Sequence, residues 1–305
     1  MHSLSLVITI FNEADNIIEF LSSYARQTLL ADECVIVDAN STDGTADLVA
    51  DFAKQNPHLH IKLHILAGNR SMGRNFAISK TSGTYLAMTD AGCILDEGWL
   101  EQLWQVQQSS QAQVVGGFFE GLKRDKLQEA MTPYFLQLSL PANPQDFVPT
   151  TRSVLLDRRV LEKFGSFNEK LILSEDYELF LRLKRKGVTF AMARQAVVYW
   201  RGPDNYQDFI KKLLSFATSD VEAGIWRPKV SLLFARYLFA FLLLLLGLYE
   251  MVIFFALIYL FWSAYKHRKH LPSWWWQLPV LQLLADAAVM WGSFRALPRF
   301  KTRAL

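Results

Sequence analysis

Asp90 follows a short apolar run, Tyr85–Met88, and opens the stretch DAGC. A carboxylate at the carboxyl end of a strand can hold a divalent cation or help to orient a phosphate group. A metal-diphosphate site of this kind ordinarily has a second acid two residues later, where this chain has Gly92. One carboxylate is still enough for Mg²⁺ or Mn²⁺ if phosphate oxygens and water complete the shell. Asp96 and Glu97 lie close by, but their spacing better suits capping of the helix that starts near Trp99. Two other apolar runs also end on polar or acidic residues, at Asn12–Glu13 and at Asp38. Three such ends in one half-sheet point to a shared ligand site rather than to three unrelated turns. A further pair, Glu175–Asp176, opens the stretch SEDYELFLRLKRKG. Acids in a first helical turn interact well with the helix dipole. They can equally serve as a general base aimed into a cleft.

The elements that must position these groups alternate. LSLVITI (4–10), CVIVD (34–38), HIKLHIL (60–66) and TYLAMTD (84–90) are short, β-branched or apolar runs that fit buried strands. Between them, NEADNIIEFLSSYARQT has helical spacing with Asn12 as a candidate N-cap. Thr45–Lys54 and SMGRNFAISKTSG also read as helices. The βαβαβαβ rhythm predicts an α/β fold, with a mainly parallel, doubly wound sheet and helices on both faces. Ligands of such sheets bind at the carboxyl ends of the strands. Ser174 is the expected N-cap of the helix that carries Glu175 and Asp176.

Charge and hydropathy divide the chain. Residues 1–229 hold 24 Lys+Arg against 27 Asp+Glu, and residues 230–305 hold 8 against 2. A mildly acidic body thus precedes a basic, apolar tail, which suits an anionic membrane face. Residues 230–265 are too long for one helical crossing and are interrupted at Gly247 and Glu250. They read as a hairpin of two membrane helices, followed by the basic KHRKH. A third hydrophobic helix is expected over 274–297, crossing the membrane or lying in its interface with Trp274–Trp276 as an aromatic anchor. Gln282, Asp286 and Ser293 share one face of it. The opening HSLSLVITI lacks a charged n-region, so the body is expected on the cytoplasmic side. Cys34 and Cys93 are too few for a disulfide framework or a cysteine metal site. The acidic body has no basic stripe for nucleic acid. After the first strand stands IFNEADN rather than GxGxxG, which argues against a dinucleotide-dependent oxidoreductase.

Four segments, LVITIFNEADNI, VIVDANSTDGTADLV, NRSMGRNFAISKTSGTYLAMTDAG and FGSFNEKLILSEDYELFLRLKRKG, occur in order and at matching spacing. Together they resemble the family-2 glycosyltransferases of GT-A fold, over roughly residues 4–200. TDAGC and the apolar tail are most similar to membrane-anchored members of the succinoglycan glucosyltransferase type. The resemblance implies an inverting transfer from a nucleotide-sugar donor, UDP-sugar favoured. The acceptor would be a lipid-linked or growing glycan at the cytoplasmic face of the inner membrane, with membrane lipids as further partners. It implies that Phe11, Glu13, Asp38 and Arg74 contact the nucleotide. Asp90 matches the first acid of the DxD motif and would bind Mg²⁺ or Mn²⁺, and Asp176 matches the catalytic base. Ala39 and Gly92 depart from the pattern by lacking acids. A segment PTTRSVLLDRRVLEKFG (149–165) resembles the one that precedes the family's FG motif; Thr151, Arg152 and Ser153 there would face acceptor or phosphates. The QxxRW motif of processive synthases is absent, which favours one sugar per encounter. The expected division is a GT-A domain at 1–200, an interfacial amphipathic linker at 201–229 and a membrane region at 230–305. The competing expectation is a non-catalytic nucleotide- or glycan-binding scaffold, motivated by the two missing acids.

Overall fold

Strand β1 (Leu4–Ile10) is buried along nearly its whole length, which is why it shows an unbroken apolar run instead of an alternation. The computed structural model describes residues 3–122, 125–136, 146–225, 227–267 and 275–303. Trp274 and the basic run beyond His267 lie outside them.

The chain divides into two compact units. The first comprises residues 1–122 and 139–201. It is built on one eight-stranded sheet of order β3-β2-β1-β4-β7-β6-β8-β5. β1 pairs in parallel with β2 (Glu33–Asp38) and with β4 (Tyr85–Met88), and β2 pairs in parallel with β3 (Ile61–Ile65). Helices α1 (Ile17–Ala25), α2 (Thr45–Gln55) and α3 (Arg70–Lys80) make the crossovers. This half is the parallel α/β sheet that the sequence predicts.

The other half is mixed. β7 (Val154–Asp157) runs antiparallel to β4, with Val154 opposite Met88. β6 (Val114–Gly121), after helix α4 (Trp99–Ser110), pairs antiparallel with β7 and parallel with β8 (Phe190–Trp200). β5 (Cys93–Leu95) closes the edge antiparallel to β8, with Cys93 opposite Trp200. The core under the sheet joins Val7, Val37 and Met88 to Val154, Leu156 and Phe190. Leu179, Phe180 and Leu183 of α7 (Glu175–Arg185) complete it, so packing fixes the helix that carries the acid pair.

Two local expectations are corrected. Asn12 does not cap α1, because Asn16 holds that position. Asn12 takes a left-handed backbone instead (φ 52°) and ties two loops together. Its N–H donates to Ser41 Oγ at 2.8 Å, and its Oδ1 accepts from the Thr42 N–H at 3.0 Å. Ser174 stands at the N-cap of α7, but at φ 58° its side chain makes no capping bond to the helix.

The second unit comprises residues 123–138 and 202–305. Its described part holds α5 (Lys126–Met131), α8 (Tyr206–Glu222), α9 (Pro228–Leu245), α10 (Tyr249–Lys266) and α11 (Leu278–Arg303). Phe209 and Leu213 of α8 pack with Leu281, Ala285 and Ala288 of α11 and with Ala130 and Met131 of α5. Gly247, at φ 75°, makes the turn between α9 and α10. Among the described residues, three helical segments are long and apolar enough to cross a membrane: Pro228–Leu245, Tyr249–Lys266 and Trp275–Pro298. Only 6% of each of the first two is buried, against 44% of the third.

Candidate active site

Parallel pairing of β1, β2 and β4 brings their carboxyl ends, and the residues that follow them, to one edge of the first unit. Phe11, next after β1, presents an aromatic ring that is 58% exposed, unusual for a side chain adjoining a buried strand. Asp38 ends β2 and is fully buried. Its Oδ1 accepts from Ser41 N–H at 2.8 Å and Ser41 Oγ at 2.7 Å. Its Oδ2 is buried and has no hydrogen-bond partner among the described residues. Buried acceptors are almost always satisfied, and an orphan calls for an explanation such as a ligand donor. Glu13 is partly buried, and its carboxylate accepts from Asn16 at 3.1 Å. Burial pushes the Glu13 carboxyl above its ordinary value, with the charge of Asp90 adding to the effect.

Arg74, on the buried face of α3, is only 3% exposed. It donates from Nη2 to Asp90 Oδ1 at 3.0 Å and from Nη1 to Glu175 Oε1. Its guanidinium also lies over the Phe167 ring, 5.4 Å from the centroid. Burial works against the positive charge, but Glu175, Asp90 and Asp176 outweigh it and hold Arg74 above the usual arginine value. Arg74 is thus a strut that joins the strand-end acid to the start of α7. For Asp90, desolvation is outweighed by Arg74, then Arg70 and Arg152, and the carboxyl is held below its ordinary value. Glu175 is shifted the other way, because burial dominates over the attraction of Arg74.

The register of β7 supplies what the sequence left unassigned. Because Val154 stands opposite Met88, the residues before Val154 continue beside Thr89 and Asp90. Arg152 Nε lies 3.7 Å from Asp90 Oδ2. The Thr151 N–H donates to Asp176 Oδ2 at 3.3 Å. Asp90 and Asp176 are therefore linked through two adjacent residues of one loop. That loop is itself held from below. Ser153 Oγ accepts from Trp99 Nε1 at 2.8 Å, and the Gly117 N–H donates to Ser153 O at 2.9 Å. A Cβ at Gly117 would stand 2.0 Å from Ser153 Oγ, so only glycine allows this approach. The structure thus joins Arg74, Asp90 and Asp176, with Glu13 close enough to feel the charge of Asp90, while Asp38 and Phe11 stand at the ends of the neighbouring strands β2 and β1. It adds Arg70, and it sets Arg152 against Asp90 and Glu175 against Arg74, contacts that no local pattern displays.

The comparisons with known proteins agree with this geometry. The glycosyl transferase family 2 profile matches residues 5–165, and the profile of glycosyl transferase family group 2 matches residues 99–290. The first match covers more than half of the chain, and the chain belongs to glycosyl transferase family 2. Glycosyltransferase AglE of Haloferax volcanii is 25% identical over 201 residues, which are 64% of this chain and 65% of that protein. Succinoglycan biosynthesis protein ExoO of Rhizobium meliloti is 28% identical over 192 residues, 58% of this chain and 54% of its own length. This chain therefore spans between half and two thirds of these relatives. Among solved structures, mannosyltransferase PcManGT of Pyrobaculum calidifontis, in complex with GDP-Man and Mn²⁺, superposes with TM-score 0.67 at 17% identity. That match covers 95% of this chain and 87% of PcManGT. It establishes a shared GT-A fold.

A divalent ion is common in this fold, and the PcManGT complex holds one. The residues of this chain do not fit a protein-held ion. Asp90 faces a guanidinium on each of its two oxygens, and a cation there would meet Arg74 and Arg152 at close range. Gly92 offers no side-chain oxygen. Among the described residues, no group of three or more His, Cys, Asp or Glu could hold a metal. The expectation that Asp90 is a metal ligand is therefore not carried into the mechanism.

Proposed function

We propose that this chain is an inverting glycosyltransferase, moving one sugar per encounter from a nucleoside diphosphate donor to a hydroxyl of a lipid-linked or growing glycan. The observation that carries this reading is the unpartnered, buried Asp38 Oδ2 at the carboxyl end of β2. It is an acceptor suited to an N–H or O–H of a nucleoside. The exposed Phe11 ring offers a stacking face, and Glu13 lines the same strand ends. The resemblance favours a UDP-sugar, while the ligand of PcManGT makes a GDP-sugar the alternative.

In the reaction, the acceptor oxygen attacks the anomeric carbon from the face opposite the leaving group. Asp176 takes the acceptor's proton as the new glycosidic bond forms. The bond from sugar to phosphate breaks, and its electron pair leaves with the nucleoside diphosphate. The Thr151 N–H holds Asp176 Oδ2 at 3.3 Å, and the Tyr177 N–H holds Oδ1 at 2.7 Å. These bonds aim the base and leave further lone pairs for the acceptor hydroxyl. Arg74 fixes Asp90 and Glu175 and acts as a positioning residue.

We assign the division of labour as a GT-A domain at residues 1–200, a linker at 201–229 and a membrane region at 230–305. The first unit would face the cytoplasm, with α9 and α10 in the inner membrane. Most apolar side chains of these two helices are exposed and need lipid to cover them. Asp176→Asn should abolish transfer and leave the donor Kd within about two-fold, because the amide keeps the shape and loses the basic oxygen. Radiolabelled sugar transfer and calorimetry with UDP and GDP measure the two quantities. Donor hydrolysis or transfer at the wild-type rate in this variant would remove Asp176 from the role. Wild-type protein that binds nucleotide but transfers no sugar to any glycan-lipid fraction would favour the scaffold alternative.

A further inference from the structure

The leaving diphosphate gains negative charge as the sugar departs, and something positive must meet it. In this chain a protein-held metal does not fit, so the question is which cation takes its place. Arg74 is committed: two acids hold it and it is almost fully buried. Arg152 is in a different situation. Its side chain is 18% exposed, and its buried Nε has no hydrogen-bond partner among the described residues. Its distance of 3.7 Å from Asp90 is too long for a hydrogen bond. Its guanidinium lies 4.8 Å from the Phe119 ring centroid and 4.7 Å from that of Trp200. Those two rings meet edge to face at 85°. Antiparallel pairing places Trp200 opposite Cys93, and the Arg201 N–H donates to Gly92 O at 3.1 Å. The aromatic cradle of Arg152 thus ends at the position where the second acid of the motif is missing. A cation held by two ring faces loses little conformational freedom on binding phosphate.

We infer that Arg152 replaces the divalent ion: it contacts the donor's diphosphate directly, Asp90 orients it, and Arg70, itself exposed at the start of α3, adds to the positive charge there. This rests on the proposed donor chemistry and deepens it, naming a catalytic residue and a metal-independent mode of binding. A guanidinium suits this task because its planar fork matches two phosphate oxygens. Gly92 is then the residue that keeps a second carboxylate away from the cradle. A Cβ there would meet nothing within 4 Å, so bulk does not exclude an acid at that place.

The test is calorimetry on the full-length chain in mild detergent, titrating UDP, GDP, UMP and GMP in EDTA and again in Mn²⁺. Wild-type protein should bind one of the diphosphates in EDTA, with Mn²⁺ changing the Kd by less than about two-fold. Arg152→Gln should weaken that diphosphate by about ten-fold or more and the matching monophosphate by less than about two-fold. Gly92→Asp should make Mn²⁺ tighten diphosphate binding. Diphosphate binding that EDTA abolishes and Mn²⁺ restores in the wild type would overturn the inference while leaving the proposed transferase intact. Equal weakening of mono- and diphosphate by Arg152→Gln would also overturn it, since that is what a purely structural arginine would produce. Absence of binding for all four nucleotides in both conditions would remove the donor chemistry itself, and this inference with it.

Discussion

Asp38 illustrates how one buried atom can state a ligand's chemistry. One of its carboxylate oxygens is spent on Ser41 and shapes the loop after β2, while the other has no partner. Folding has desolvated an acceptor without returning a bond, an unfavourable arrangement that the proposed nucleotide would relieve. Asp38→Asn tests this directly. The amide oxygen can keep the Ser41 contacts, and the remaining position becomes a donor where an acceptor is needed. Nucleotide affinity should fall by about 1–3 kcal/mol, the cost of leaving a buried polar group mismatched. Thermal stability should change much less, because the loop bonds survive. Calorimetry of UDP and GDP alongside a melting curve separates the two. An unchanged Kd would mean that the Asp38 oxygen does not meet the nucleotide.

At the level of elements, some of this site was legible in the sequence and some was not. Asp38 and Asp90 were visible because parallel strands advertise their ends as apolar runs stopping at an acid. Asp176 was visible because a helix start announces itself in the same way. Arg152 was expected to face acceptor or phosphates only by resemblance, Glu175 was offered with Asp176 as one of two possible bases, and Arg70 was not assigned to the site. The reason is physical. Arg152 reaches Asp90 only because β7 runs antiparallel to β4 with Val154 opposite Met88. That register is set by core packing among distant strands and leaves no periodic trace around Arg152 itself. The antiparallel strands were missed for the same reason. Glu33 shows how firmly the parallel half is tied. It accepts from Lys62 Nζ at 2.7 Å, Ser5 Oγ at 2.9 Å and Ser82 N–H at 2.5 Å, joining β1, β2, β3 and the segment before β4. Burial opposes its charge, yet the Lys62 and serine bonds prevail and draw the carboxyl from 4.5 to about 2. With the folded value depressed, the stabilisation is complete above about pH 4.5 and is lost as pH falls towards about 2. Glu33→Gln should therefore lower stability at neutral pH and flatten the acid limb in that window. Urea midpoints measured from pH 7 down to pH 2.5 would show it. Parallel curves for wild type and variant would exclude the Glu33 cluster as the source of acid sensitivity.

On the scale of the molecule, the chain joins an ordinary α/β sheet to helices long and apolar enough to cross a membrane. Leu238, Phe241, Ile253, Phe254 and Phe261 project outward from α9 and α10, while Arg236, Tyr237 and Tyr259 turn towards α11. The inward group is Asp286 of α11, only 5% exposed. Its Oδ2 accepts from Arg236 Nη2 at 2.8 Å, from the Tyr237 hydroxyl at 2.9 Å and from the Tyr259 hydroxyl. Its Oδ1 accepts from Gln282 Nε2 at 2.9 Å. One carboxylate therefore gathers donors from all three long apolar helices. The sequence placed Gln282 and Asp286 on one face, and the donors from α9 and α10 explain why such a polar face is sustained. Between apolar helices in lipid there is little hydrophobic force, so packing and interhelical hydrogen bonds must hold the bundle. Asp286→Ala would leave Arg236, whose side chain is 37% exposed, and two tyrosine hydroxyls without their acceptor, a loss of about 1–2 kcal/mol for each interhelical hydrogen bond removed. The variant should still reach the membrane, since α9 and α10 keep their length and apolar surface, and carbonate extraction should leave it in the pellet. Its melting temperature in mild detergent should nonetheless drop well below that of the wild type. Asp286→Asn should fall between the two, because an amide oxygen keeps part of the acceptor set without the charge. A variant Asp286→Ala as stable as the wild type would mean that apolar packing alone holds the three helices. The carboxylate would then have to be explained by something other than the fold.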